Sequence, residues 1–130
     1  MQRVGEGITV TLPEALLFSF DSEQLKAGAR ERLRRFAASL KRHPNTRTLI
    51  VDHTDTHGRL EHDIALSNRR ALSAARFISS EGVDRTRICT AGRGGAEPLA
   101  TSASHAARRL NRREEIAVYV DEAPRSAARN

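Results

Sequence analysis

The sequence predicts an α/β fold, a small mixed sheet of about four strands with helices packed on one face. Short β-rich runs alternate along the chain with helical patterns, and one such run separates the two longest helical patterns. A strand that returns to the same sheet after a helix makes a parallel crossover. We therefore expect parallel as well as antiparallel pairs in the sheet.

The first half of the chain contains a strand, a short apolar segment and a long helix. Apolar residues alternate with threonine over residues 8–12, which is typical of a half-buried strand, and Pro13 ends it. An apolar segment at 16–20 stops at a turn or cap signal, Asp21-Ser22. Apolar residues then recur every three or four positions over residues 23–42, which predicts an amphipathic helix.

A buried strand, a helix and a third strand follow. Residues 48–55 begin with β-branched and aliphatic side chains and end in polar ones, which indicates a buried strand. The pattern over residues 60–80 predicts a helix, and Gly82 is placed to take a left-handed cap. Residues 83–91 are predicted to form the next strand, which would bury Cys89, the single cysteine, as a free thiol.

The last part of the chain is predicted to contain loops, one strand and a tail. Glycines and a proline indicate a loop at 92–98, and residues 99–105 continue it, with a short helix beyond. The last strand is predicted at 115–120. We expect one domain over residues 1–121, followed by a disordered tail at 122–130.

Composition narrows the possible partners. The net charge of +6 comes almost wholly from arginine and favours an anionic polymer, although arginine-rich coding bias also explains an excess. With 4% aromatic residues and no tryptophan, nucleic acid is not an expected partner. The chain as given has no secretory signal and no apolar stretch near the roughly 20 residues that span a bilayer. It is either cytoplasmic or a domain of a longer exported protein.

One acid and one base stand out as a candidate site. Asp55 ends the predicted second strand, and Arg70 lies on the following helix. Asp63, Ser67 and Arg70 are spaced i, i+4 and i+7, so we expect them to share a polar helix face. A guanidinium binds a carboxylate through two bonds and a carboxylate accepts from an ammonium, so the pair suits a zwitterionic amino-acid end. An ordinary Asp–Arg ion pair is the alternative.

Metal binding and catalysis are less well supported. His53, Asp55, His57 and His62 lie within ten residues, but an i, i+4 histidine pair suits a metal on a helix, and this segment is a strand end and a turn. We instead expect His53 to be a buried hydrogen-bonding residue. No serine stands on a nucleophile elbow, and the glycines near residue 92 lack the lysine of a phosphate loop. We expect no enzyme activity, metal or cofactor.

Several motifs occur in one order: His53-Thr54-Asp55, Leu66-Ser67 with Arg70-Ala71, and Asn111-Arg112-Arg113. With these motifs the chain resembles the OmpA/MotB-type C-terminal domain, which binds peptidoglycan, over roughly residues 8–120. The resemblance implies a βαβαβ-type fold with an added strand, no catalysis, and a groove in which Asp55 and Arg70 grip the amino-acid end of diaminopimelate. The implied ligand-binding residues are Asp21, Ser22, Thr54, Asp55, Asp63, Arg70 and Arg113.

The resemblance also implies a setting and partners. We expect a periplasmic domain of an outer-membrane or otherwise envelope-anchored protein, attached to a membrane only through a region outside this chain. Peptidoglycan, through its diaminopimelate stem peptide, is the expected partner, and a homodimer is left open. Two other functions are left open as well: an interaction module of a secretion or motor complex that has lost its ligand, and nonspecific polyanion binding.

Three positions depart from the family pattern. Asp52 replaces the usual glycine before the HTD motif, His62-Asp63 replaces Tyr-Asn, and Ala107-Arg108 replaces Gly-Arg. Unlike an asparagine, an ionised aspartate only accepts hydrogen bonds, so Asp63 would repel a ligand carboxylate. We expect these departures to affect affinity more than fold.

Overall fold

The computed structural model describes residues 7–54, 60–95 and 105–120, which form a four-stranded sheet and its helices. The strands are β1 (Gly7–Pro13), β2 (Thr46–His53), β3 (Ile88–Gly94) and β4 (Arg113–Val120). The helices are α1 (Glu14–Leu17), α2 (Ala27–Arg42), α3 (Leu60–Ser80) and α4 (His105–Asn111), with a 3-10 turn at Arg85–Arg87. The predicted boundaries of the domain and of the tail lie outside the described residues.

The sheet is mixed, as predicted, with strand order β1-β4-β2-β3. β4 pairs antiparallel with β1 on one side and with β2 on the other. β2 and β3 are parallel, and α3 makes the crossover between them. The last described strand therefore lies in the interior of the sheet.

The core lies between the sheet and the two long helices. Small side chains on α3 let its backbone approach the sheet closely, and larger aliphatic side chains from α2 fill the space beyond. The main core residues are Leu33, Ala37, Leu40, Ile50, Ala71, Ala74, Ala75, Ile78, Val83, Ile88 and Ile116. The approach is closest at Gly92, where a Cβ atom would lie 2.3 Å from the backbone nitrogen of Asn68. Only glycine fits there.

The predicted helices and strands are present, with some shifted boundaries. α3 has the predicted bounds, and Gly82 has the left-handed φ of 107° expected of a cap. α2 begins at Ala27 because the segment before it is extended, where Leu25 forms a β-bridge with Phe18. β3 begins five residues later than predicted, because Asp84 caps a 3-10 turn that precedes it.

Three predictions about exposure and loops were wrong. Ile8 and Val10 are 66% and 41% exposed, because β1 is an edge strand and its side chains are only partly covered. Cys89 is exposed rather than buried, on β3, the strand at the other edge of the sheet. The first glycines of the predicted 92–98 loop belong to β3, which extends to Gly94 because the Thr54 amide donates to its carbonyl at 2.8 Å.

In the part of the chain described here, no helix is both long enough and apolar enough to cross a membrane.

Candidate functional site

Arg70 is buried near the last residues of β2, and its guanidinium has several partners. It is 1% exposed and forms an ion pair with Glu14. Its Nε donates to the Ser22 carbonyl at 2.8 Å and its Nη2 to the Ser19 carbonyl at 3.3 Å. The Phe18 ring lies 5.0 Å from the guanidinium carbon, a cation–π distance. Arg70 thus fastens α3 to the segment that follows β1.

The predicted polar face of α3 is largely covered. Ser67 and Arg70 are buried and Asp63 is half-buried, so this face packs mostly against neighbouring parts of the protein, and its role in ligand binding stays a prediction. The Ser67 hydroxyl donates to the Ile64 carbonyl at 2.9 Å and accepts from the Gly94 amide at 3.0 Å. The bond with the Gly94 amide holds α3 against the end of β3.

Asp55, Thr56, His57, Gly58 and Arg59 lie outside the described residues, so the Asp55–Arg70 pair stays a prediction. The residues just before them are well placed for it. His53 and Thr54 are buried, and the Arg70 charge acts on Asp52, three positions before Asp55. The end of β2 therefore comes close to the arginine.

Two further acids, Asp52 of β2 and Glu114 of β4, lie directly opposite each other in the antiparallel ladder. They are 1% and 0% exposed and share the sheet face of Ile50 and Ile116, the face that packs into the core. Arg70 acts electrostatically on both of them. The arginine therefore lies among three carboxyl groups, those of Glu14, Asp52 and Glu114.

Burial dominates the titration of this acid pair. It raises the pKa of Asp52 to about 8, against the opposing charge of Arg70 and a hydrogen bond with Glu114. Burial also raises the pKa of Glu114 well above its usual range, and the Asp52 charge raises it further. Both groups thus hold a proton to higher pH than an exposed carboxyl group does.

A second charged cluster lies on the opposite face of the same strands, formed by residues that alternate with Asp52 and Glu114. Arg113 donates from Nε to Glu115 at 2.9 Å and from Nη1 to the Asn111 carbonyl at 3.3 Å. The ring of buried His53 is 3.3 Å from Glu115, which confirms that it is a buried, hydrogen-bonding histidine. Burial acts to raise the pKa of Glu115, but the hydrogen bond and charge of Arg113, with His53, lower it overall. That Arg113 meets a ligand carboxylate stays a prediction.

The loop before α2 lies beside Arg70. Asp21 has a φ of 55°, and its Oδ1 is 2.7 Å from Nε2 of His62 on α3. The Ser22 carbonyl accepts a hydrogen bond from Arg70, and the Ser22 hydroxyl accepts one from the Gln24 amide at 3.0 Å. Asp21, Ser22 and Arg70 are thus brought together, while a ligand role for them, for Thr54 and for Asp63 stays a prediction.

Sequence reasoning missed the acids around Arg70. Glu14 and Glu114 were not candidate site residues, and Asp52 was noted only as a departure from a glycine. One signal was available for the pair, since charged residues occupy core-facing positions in two otherwise apolar strands. Among the described residues no group of three or more histidine, cysteine or acidic side chains is placed to hold a metal ion.

The mixed four-stranded sheet, with its crossover helix and an arginine near the end of the HTD strand, defines the OmpA-like class of domains. A profile of the OmpA family matches residues 17–112, and the chain belongs to that family.

Two curated relatives are 34% identical to this chain. One is "Probable lipoprotein YiaD" of Escherichia coli K12, matched over 114 residues that cover 88% of this chain and 52% of the relative. The other is the peptidoglycan-associated lipoprotein of Agrobacterium fabrum, matched over 95 residues that cover 73% and 54%. The chain thus spans about half the length of these relatives.

Solved structures have the same fold. The cell wall anchor of the T6SS from Pseudomonas aeruginosa is 30% identical with a TM-score of 0.78, and the match covers 88% of this chain and 82% of that one. The peptidoglycan-associated lipoprotein from Burkholderia pseudomallei is 29% identical with a TM-score of 0.73, covering 83% and 88%. A MotB like protein from Desulfovibrio vulgaris, 24% identical with a TM-score of 0.79 over 88% and 76%, shows the fold alone.

Proposed function

We propose that this domain binds peptidoglycan non-covalently through the diaminopimelate of the stem peptide and so anchors a larger envelope protein to the cell wall. The observation that carries the proposal is the buried guanidinium of Arg70, held beside the end of β2 where the HTD motif begins. Relatives whose names include peptidoglycan association and cell wall anchoring support it. The setting is the periplasmic side of the cell envelope.

The donors of Arg70 fit a carboxylate ligand. A guanidinium has five N–H donors, and the described residues use three of them, through Glu14, Ser19 and Ser22. One N–H on each terminal nitrogen is left over, which is the number that a carboxylate takes in a bidentate bond. A ligand carboxylate at these donors would be largely removed from water, where such bonds are strongest.

The other half of the proposed site is Asp55, which would accept from the ammonium of the same amino-acid end. The proposed activity is recognition rather than catalysis: both groups bind the charged end of the ligand through ion pairs and hydrogen bonds, and neither transfers a proton or a group in this proposal. The net charge of +6 supports attraction to an anionic wall polymer over longer distances.

Retention on purified sacculi that contain diaminopimelate tests the proposal. We expect Asp55→Asn and Arg70→Lys each to weaken retention about tenfold, because each removes one charge-assisted contact of about 1.5–3 kcal/mol. The control is Arg69→Ala, which removes a whole positive charge from the neighbouring position, where the side chain is 47% exposed. Circular dichroism is used to check that each variant is folded.

The other outcomes separate the remaining functions. A parent chain that does not bind sacculi would support the ligand-free interaction module, which the Glu14–Arg70 ion pair also favours because it partly neutralises the arginine. Binding that moderate salt abolishes equally in all variants, Arg69→Ala included, would support nonspecific polyanion binding. Equal retention on walls built with lysine instead of diaminopimelate would contradict the stem-peptide specificity.

A further inference from the structure

The pair of Asp52 and Glu114 is unusual because it places two acids opposite each other inside the sheet. A directly opposed pair on adjacent antiparallel strands has its Cβ atoms about 4.5–5.5 Å apart, so the two carboxyl groups are neighbours. Like charges at that position are unfavourable, and burial removes the water that would screen them. The sheet therefore tolerates this pair only if its charge is reduced.

The hydrogen bonding points the same way. Within the described residues, both carboxyl oxygens of Glu114 and Oδ2 of Asp52 are buried and receive a hydrogen bond from no other group, and the hydrogen bond between the two carboxyl groups themselves requires that one of them carry a proton. An ionised carboxylate only accepts hydrogen bonds, whereas a protonated one also donates. A proton held by either acid would supply a donor that the surroundings do not.

The charged groups around the pair cannot neutralise it fully. Arg70 faces it from α3, but that guanidinium already forms an ion pair with Glu14 of α1, whose charge also reaches Asp52. Arg113 of β4 contributes a weaker favourable charge and is paired with Glu115. The flanking strands place Leu12 of β1 opposite Glu114 and Gly92 of β3 opposite Asp52, and neither residue titrates.

We propose that Asp52 and Glu114 hold at least one proton between them at neutral pH and act as positioning residues for Arg70. While protonated, they leave the guanidinium charge to an external carboxylate; when ionised, they compete for it. The effect on ligand binding rests on the proposed function, and the proton-holding pair itself does not. The raised pKa values of both acids agree with the geometry, and the pKa of Asp52 places its change of charge near pH 8.

The free 130-residue chain tests the proton directly. Carbon-13 NMR follows the side-chain carboxyl carbons of Asp52 and Glu114 from pH 4 to pH 10, with Asp84 as an internal reference because hydrogen bonds from Thr86 lower its pKa. We expect the Asp52 carbon to titrate near pH 8 and the Glu114 carbon also well above the range of Asp84. If both carbons complete their titration below pH 5, the proposal is overturned.

A binding experiment tests the consequence for Arg70. Retention on sacculi is compared at pH 7 and pH 9.5 for the parent, the double variant D52N/E114Q, which keeps the side-chain shapes without ionising, and the control E31Q/D84N, which changes two acids outside the pair. From pH 7 to pH 9.5 we expect the retention of the parent and of the control to fall on the order of tenfold. The retention of the double variant should fall about twofold or less, since its neutral amides never compete for the guanidinium. If the retention of D52N/E114Q falls as much as that of the parent, the proposal that the acid pair affects ligand binding by Arg70 is overturned.

Failures of the two proposals are distinguishable. If the parent binds sacculi at no pH, the proposed function fails, while the carboxyl titration still decides whether the pair holds a proton. If D52N/E114Q is unfolded by circular dichroism, D52N alone is used. The Glu114 carbon should then titrate at lower pH than in the parent, because the neighbouring charge is gone, and an unchanged titration contradicts a shared proton.

Discussion

The two ends of β2 each lie beside an arginine, but the two arginines have different kinds of partner. At the first end, half-buried Arg87 donates to backbone carbonyls where α2 ends and β2 begins: those of Leu40 at 3.0 Å, His43 at 2.9 Å and Thr46 at 3.0 Å. At the last end, Arg70 lies among the carboxyl groups of Glu14, Asp52 and Glu114.

This difference distinguishes the two ends of β2. The first end has contacts that do not change with pH, and the last end, which we call the responsive end, has contacts that do. Carbonyl oxygens do not titrate, so pH does not change the acceptors through which Arg87 joins α2 to β2. Carboxyl groups gain and lose protons, so the surroundings of Arg70 change with pH. A ligand carboxylate would enter the same competition for the guanidinium, which is why the proposed site lies at this end.

The strongest test of the comparison is Arg70→Ala. It leaves the partly buried Glu14 carboxylate with the longer ion pair to Arg112, at 3.6 Å, and removes the guanidinium charge from beside Asp52 and Glu114, so we expect the free energy of unfolding at pH 7 to fall by about 3–5 kcal/mol. Urea denaturation measures it, with Arg69→Ala as the exposed control, where we expect a change within about 0.5 kcal/mol. A loss below about 1 kcal/mol for Arg70→Ala would mean that the acids do not depend on the arginine.

The pH dependence of stability is a second effect of comparable size. Because the folded-state pKa of Asp52 is about 8 and its ordinary value 3.8, the folded state binds more protons than the unfolded state between these values. We expect the free energy of unfolding to fall by on the order of 5 kcal/mol from pH 4 to about pH 9 and then to level off for this group. Chemical denaturation across this range should give a flatter curve for D52N/E114Q, and an equally steep one would contradict the assignment.

Gly92→Ala tests how closely α3 must approach the responsive end. A Cβ atom there would lie 2.3 Å from the backbone of α3, so we expect a loss of about 2 kcal/mol in unfolding free energy and weaker retention on sacculi. Gly28→Ala is the matched control, because a Cβ at Gly28 meets nothing within 4 Å. That control should gain up to about 1 kcal/mol in thermal or urea unfolding, and similar results for both glycines would refute the close packing.

Arg87→Ala should have the smallest effect of the four. It removes several hydrogen bonds to neutral oxygens near the surface, for which we expect a loss of about 1–2 kcal/mol in urea denaturation. The loss should be the same at pH 5 and pH 9, since the carbonyls do not titrate. A loss that varies strongly with pH would remove the contrast between the two ends of β2.

Local patterns were enough to predict most of the helices and strands. The spacing of apolar residues and Gly82 predicted α3 to the residue, and β-branched runs predicted β2 and β4 within a few residues. Local patterns do not say which strands lie at the edges of a sheet. For that reason Ile8, Val10 and Cys89 were expected to be more buried than they are.

The surroundings of Arg70 depend on contacts that are remote in sequence. Glu14 lies 56 positions from Arg70, and no periodic pattern links the two residues. Asp52 and Glu114 meet only because β4 pairs with β2, which places both carboxyl groups on the core side. The arginine could therefore be predicted as a site residue from the HTD and LSNRRA motifs, while the acids that control its charge required the sheet pairing.

The position of β4 also has a consequence for how the chain folds as it is made. β1 comes first along the sequence, yet its partner in the described sheet is β4, more than 90 residues later. A nascent chain that has emerged only through Gly94 has β2 and β3 available to pair and β1 without its neighbour. The sheet can close only after synthesis reaches Val120, so a truncation within β4 would release β1 and β2 from each other.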